Sequence, residues 1–130
     1  MWVQLTKDNL IHAMQHVIKA VSLNSPIPIL TGVHIQARLD GITFTASNTS
    51  MTIQTLIPQN CDSVHIQREG VVVIPSKYFY EVIHKLNAET VIMETKDAQL
   101  MNLFNRLGRY HFRKLILLKG EITWKCLPNF

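Results

Sequence analysis

Between Leu10 and Val21 apolar residues return at every third or fourth place, and between Val33 and Leu39 at every second. A chain that changes period within so short a distance changes from helix to strand. Leu10, Ala13, Met14, Val17, Ile18 and Val21 mark the buried stripe of a helix, with Thr6 as its candidate N-cap. Val33, Ile35, Ala37 and Leu39 alternate with His34, Gln36 and Arg38, as on a half-buried strand. The link, Asn24-Ser25-Pro26-Ile27-Pro28-Ile29-Leu30-Thr31-Gly32, holds two of the five prolines. Each proline fixes its own φ and drives the preceding Ser25 or Ile27 out of the α region. The helix therefore ends before it, and the link is a rigid connector into the strand.

Three strands are expected after the connector, at Gly32 to Leu39, Ile42 to Ser47 and Met51 to Ile57, with a tight turn at Asp40 and Gly41 joining the first two. A less regular stretch, PQNCDSVHIQRE, leads to the apolar run Val71 to Ile74. Pro75 and Ser76 then open a second helix with a stripe of Phe79, Val82, Ile83 and Leu86. Strands follow at Thr90 to Thr95, Leu100 to Asn105 and Arg109 to Ile116. The order strand, helix, strands thus occurs twice at an offset of about 70 residues, and both helices open on a hydroxyl residue and a lysine. Two helices packed on one side of antiparallel sheet form an α+β layer.

A chain of 130 residues buries enough surface for a single domain without disulfide or metal staples. Cys61 and Cys126 form no CxxC pair and are expected to be reduced, buried thiols. No signal peptide and no apolar run of membrane-spanning length is recognisable, which makes the cytoplasm the expected compartment. The net charge of +4 is uneven. Beyond Met101 the chain carries Arg106, Arg109, Arg113, Lys114, Lys119 and Lys125 against Glu121 alone, a basic end suited either to water or to an anionic partner.

Motifs that would carry catalysis are missing. No nucleophile elbow, phosphate loop or dinucleotide fingerprint occurs, and the carboxylates are scattered. His12 and His16 have the spacing of a zinc pair, but Ala13 stands where the protease pattern needs glutamate and no third ligand is near. They fit better on a polar helix face with Asp8, Gln15 and Lys19. Neither an enzyme nor a cofactor or metal is expected.

The ordered segments LIHAMQHVIKAV, IPILTGVHIQ, DGITFTASNTSMTIQ, VVVIPSKYFYEVIHKL and GRYHF, together reaching Phe112, resemble the first domain of the bacterial DNA polymerase III β subunit, the replicative sliding clamp. The resemblance implies an α+β DNA-clamp, or processivity, fold of two strand-helix-strands units. In that family three such domains make a subunit, and two subunits close around duplex DNA with the helices lining the hole. Topology holds the DNA, so weak, sequence-independent contacts to phosphates suffice. Carried onto this chain, the resemblance implies Gln15, His16, Lys19, Asn24 and Lys77 as DNA contacts. It also implies Tyr78, Ile83, Arg109, Tyr110 and Phe112 as a subunit interface, through which the edge strand meets another clamp-type domain or a second copy of this chain.

Three departures temper those expectations. Asn24 stands where the family often has a basic residue, and Asn48 and Ser50 occupy positions that are commonly acidic. After Phe112 the likeness stops, and RKLILLKGEITWKCLPNF replaces the family's passage into its second domain. The expected organisation is a clamp-like domain over residues 1–114 and a divergent tail over 115–130. The peptide pocket that holds polymerases would then be absent. A stand-alone basic module binding nucleic acid or protein, and a truncated product of a shifted frame or early stop, are the alternatives.

Overall fold

Thr6 ends its strand in an extended conformation, and its hydroxyl accepts a 3.3 Å hydrogen bond from the amide of Asn9. That cap satisfies one of the amides a helix leaves unpaired at its start. The helix it opens, α1, spans Lys7–Val17 and runs on into a 3-10 turn at Ile18–Ala20. Leu10, Ala13, Met14 and Val17 are buried as the period requires, while Ile18 is half-buried and Val21 packs at the margin of the core. The computed structural model describes residues 1–21, 31–48, 50–59, 63–86, 89–95, 100–104 and 109–113. Pro26, Pro28, Cys61, Cys126 and the whole 115–130 tail fall outside these residues.

The strands are β1 (Trp2–Thr6), β2 (Gly32–Arg38), β3 (Gly41–Ser47), β4 (Thr52–Pro58), β5 (Val64–Arg68) and β6 (Gly70–Pro75), then β7 (Thr90–Thr95), β8 (Leu100–Phe104) and β9 (Arg109–Arg113). A second helix, α2, fills Ser76–Lys85 between β6 and β7. The α+β class and the repeated unit are as expected, but the described residues form two antiparallel sheets where one layer was expected. Their orders are β5-β1-β7-β8-β9 and β4-β3-β2-β6. Each unit lends its opening strand to the other's sheet. β1 lies against β7 with Leu5 opposite Val91, and β6 lies against β2 with Val33 opposite Ile74. Neither unit can complete a sheet alone, so the two fold as one body.

Local details differ from the sequence expectation in three places. The irregular stretch contains β5, whose Val64 and Ile66 are buried against β1. The hairpin loop is Leu39 and Asp40, because Gly41 already pairs with Arg38. Glycine is needed there for space: a Cβ on Gly41 would stand 2.8 Å from the carbonyl oxygen of Ile57 on β4. Finally, Pro75 occupies the N-cap position of α2, and the Ser76 hydroxyl donates to the Thr31 carbonyl at 2.9 Å instead of capping its own helix. The hydroxyl-lysine likeness of the two helix entries therefore hides different chemistry.

One apolar core joins both sheets and both helices, with Val3, Leu5, Met14, Ile35, Phe44, Phe79, Ile83, Met93 and Leu103 at its centre. Burying each large side chain contributes about 1.5–3 kcal/mol. Polar groups behind the sheet are paired: Thr45 accepts from Gln54 at 3.2 Å, and the Ser47 and Thr52 hydroxyls lie 2.8 Å apart. His34 is half-buried opposite Thr45 and Val73, and its loss of solvent lowers its pKa below the ordinary histidine value.

Candidate nucleic-acid interface

The two helices are tied together end to end. Lys7, at the first position of α1, donates from Nζ to the carbonyls of Leu86 at 2.5 Å and His84 at 3.4 Å. Its own amide donates to the carbonyl of Glu89 at 2.8 Å. The start of α1 therefore meets the end of α2, and the helices run antiparallel. Lysine is electrostatically out of place in a first helical turn, but it is well placed against the negative end of another helix. That mismatch was the sequence signal for this contact, and periodicity alone passed over it.

With Leu10, Ala13, Met14 and Val17 of α1 and Ser76, Phe79 and Ile83 of α2 turned into the core, the remaining faces meet water. Asp8, His12, Gln15, His16 and Lys19 are exposed on the first helix and its 3-10 extension. Lys77, Tyr78, Glu81, His84 and Lys85 are exposed on the second. The antiparallel arrangement brings Lys19, at the end of the first, towards the end of the pair that carries Lys77. Four of the five expected DNA contacts, Gln15, His16, Lys19 and Lys77, are thus solvent-facing on the helix pair. Asn24 lies outside the described residues. Sequence reading had not singled out Lys85 and His84, which add a basic and a titratable group to the same surface.

The histidines sit in a defined geometry. Nδ1 of His16 lies 2.8 Å from the carbonyl oxygen of His12, and the two rings meet edge to face with centroids 4.6 Å apart. His84 makes a similar contact with Tyr80, at 4.4 Å. Among the described residues no three His, Cys, Asp or Glu side chains gather as a metal site would require. The zinc-like spacing of His12 and His16 is used for an intrahelical contact. No described helix is long and apolar enough to cross a membrane.

The expected interface residues separate into three kinds. Tyr78 is 64% exposed on α2. Ile83 is 0% exposed, and this corrects its assignment to the interface: a side chain enclosed in its own domain's core has no surface to offer a partner. Arg109, Tyr110 and Phe112 lie on β9, the last strand of the five-stranded sheet among the described residues, where they stand opposite Phe104, Leu103 and Met101 of β8.

Comparison with known proteins agrees with this architecture. The profile of the DNA polymerase III beta subunit, N-terminal domain, matches residues 1–122. The beta sliding clamp of Bacillus subtilis strain 168 is 37% identical over 111 residues, which span 83% of this chain and 29% of that protein. A beta sliding clamp of Staphylococcus aureus is 31% identical over 96 residues, 72% of this chain and 26% of its own length. Among solved structures, the DNA polymerase sliding clamp of Bacillus subtilis superposes with a TM-score of 0.85 at 33% identity, over 88% of this chain and 31% of that one. The beta chain of DNA polymerase III from Streptococcus pneumoniae shares the fold with the same TM-score of 0.85 at 20% identity, covering 94% of this chain and 33% of its own. The chain thus spans about a third or less of the clamps it matches. By the extent of the profile match and the two-helix, two-sheet fold, it belongs to the family of the DNA polymerase III beta subunit, N-terminal domain.

Proposed function

We propose that this chain is a non-enzymatic clamp-type domain of DNA replication, whose helix pair lies along duplex DNA in a processivity ring. The observation that carries the reading is the pair of antiparallel helices with apolar faces committed to the core and polar faces, including Gln15, His16, Lys19 and Lys77, left to solvent. Such a face meets phosphates without reading bases, as a sliding ring requires. Asn24 belongs to the same set by position in the sequence. Lys19, Lys77 and Lys85 stand with Asp8 and Glu81 on this surface, so its attraction to DNA is weak.

Residues 1–114 form the clamp-like domain and 115–130 a tail, although the family match continues to residue 122. Tyr78, Arg109, Tyr110 and Phe112 mark the joint to another clamp-type domain or to a second copy, through the edge of β9. One clamp of this fold, from Helicobacter pylori, has been solved bound to a DNA ligase peptide. We place peptide binding of that kind outside this domain, and the cytoplasm is the compartment this reading requires.

Fluorescence anisotropy with two duplexes of unrelated sequence tests the proposal. Binding is expected to be weak and equal for both, and to fall steeply between low and physiological salt as condensed counterions cease to drive it. Sub-micromolar affinity at physiological salt, or preference for one duplex, contradicts it.

A further inference from the structure

Alternation puts Val3 and Leu5 of β1 in the core and Trp2 on the opposite face, where its indole is half-buried. At that residue the pairing of β1 with β5 slips. Trp2 stands opposite Arg68 and Val3 opposite Ile66, so Gln67 is an extra residue with nothing across from it. A bulge of this kind sets two side chains of one strand against one of the other and re-aims them. Trp2, Gln67 and Arg68 line a cleft of about 380 Å³ at this place, within the range of roughly 300–1,000 Å³ usual for small-ligand sites.

The side chains of the cleft differ in chemistry and are held in different ways. Arg68 donates from Nη2 to the carbonyls of Met1 and Thr95, at 3.3 Å each. These neutral acceptors position the guanidinium without neutralising its charge, and Nε and Nη1 carry further N–H groups. His65 meets the indole of Trp2 edge to face, with centroids 6.3 Å apart and planes at 79°. Gln67 is exposed, and its amide both donates and accepts. Of the nearby carboxylates, Glu69 accepts from the amide of Leu39 at 3.0 Å, while Glu94 stands opposite Trp2 on β7. An aromatic face, a positioned cation and an amide match one nucleotide of an unpaired strand: a stack for the base, a donor for the phosphate and a polar group for the base edge. A paired, stacked duplex has no free base face to offer.

We propose that the cleft at the β1–β5 bulge is a subsite for single-stranded DNA, in which Trp2 stacks on one base, Arg68 binds the adjoining phosphate and Gln67 meets the base edge. It lies on the face of β1 turned away from the core and is separate from the polar faces of the helix pair. With Glu94 beside it the cleft holds its nucleotide weakly, and stacking accepts any base. This subsite goes beyond the contact of the helix pair with duplex DNA and does not depend on it.

Trp124→Phe leaves Trp2 as the only tryptophan of the full chain. Its emission is followed at low salt as hexathymidylate or a blunt duplex is added, with circular dichroism showing that each variant is folded. Hexathymidylate should quench the emission saturably, and the duplex should not. Arg68→Gln should weaken the interaction about fivefold, the effect of roughly one lost phosphate contact. Gln67→Arg leaves the carbonyl contacts of Arg68 in place and should strengthen it by about threefold or more. Replacing Lys19 and Lys77 together by alanine should leave the quenching unchanged. No quenching by hexathymidylate, equal quenching by the duplex, or an unchanged affinity in Gln67→Arg overturns the subsite while leaving the reading of the helix pair intact. Quenching that disappears with Lys19 and Lys77 puts the strand on the helix face and also overturns it.

Discussion

The ammonium of Lys7 lies 2.5 Å from the carbonyl oxygen of Leu86, so the first residue of α1 closes the end of α2 across a sequence separation of 79 residues. This contact joins the two repeated units on the helix side, as the exchanged strands β1 and β6 join them on the sheet side. Lys7→Met keeps the aliphatic stem and removes the charge. It is expected to cost about 1–2 kcal/mol, the range of a charge-assisted hydrogen bond at a helix end. Urea unfolding should show a lower midpoint with unchanged slope, and Lys19→Met should leave the midpoint in place.

Val17 and His12 lie on opposite sides of α1, one buried and one exposed. Val17→Asp puts a carboxylate into the apolar core with no partner for its charge, and is expected to cost several kcal/mol, comparable with the stability of a small domain. His12→Ala should alter stability by no more than about 0.5 kcal/mol. Thermal melts of the two variants give the comparison, and equal melting temperatures for Val17→Asp and wild type would show the helix turned the other way.

His34 gives the fold an acid limit. Its folded pKa is lowered by burial, so below the ordinary value of about 6.5 the unfolded chain takes up a proton that the folded chain resists. The unfolded state then binds more protons, and stability rises with pH through that window. The contribution is fully present above pH 6.5 and is lost as pH falls towards the folded pKa. Urea midpoints from about pH 7.5 down to about pH 5 should fall more for wild type than for His34→Gln. Parallel curves would remove His34 as the cause.

Among the described residues, β9 has β8 on one side and no strand on the other. An edge with open backbone groups is a template for pairing with another chain. A version ending at Lys114 should therefore self-associate with rising concentration in analytical ultracentrifugation. A monomeric intact chain beside an associating short one would identify the tail as a cover for that edge. Strictly monomeric behaviour of both at high concentration would contradict an available edge.

Helix α1 was legible because Leu10, Ala13, Met14 and Val17 repeat without interruption, and burial follows that repeat. Strand β5 was not, because its alternation of Val64 and Ile66 with His65 and Gln67 lasts only five residues. The division into two sheets depends on β1 pairing with β7 and β6 with β2, contacts between residues far apart in sequence that no local period encodes. Ile83 is the instructive case: helical spacing placed it in the core, the family resemblance placed it at an interface, and the spacing was right. The residues proposed to face DNA were legible as a polar arc, but that both arcs belong to one surface followed only from the Lys7 contact.

Amide chemical shifts of the isotopically labelled chain, followed as an unlabelled duplex is added at low salt, test most directly whether the helix pair is the surface that meets DNA. Shifts should concentrate at Gln15, His16, Lys19 and Lys77 and shrink when Lys19 and Lys77 are both replaced by alanine. Shifts confined to the outer sheet surface around Leu56 and Val71, with the helices unaffected, would contradict a DNA-facing helix pair.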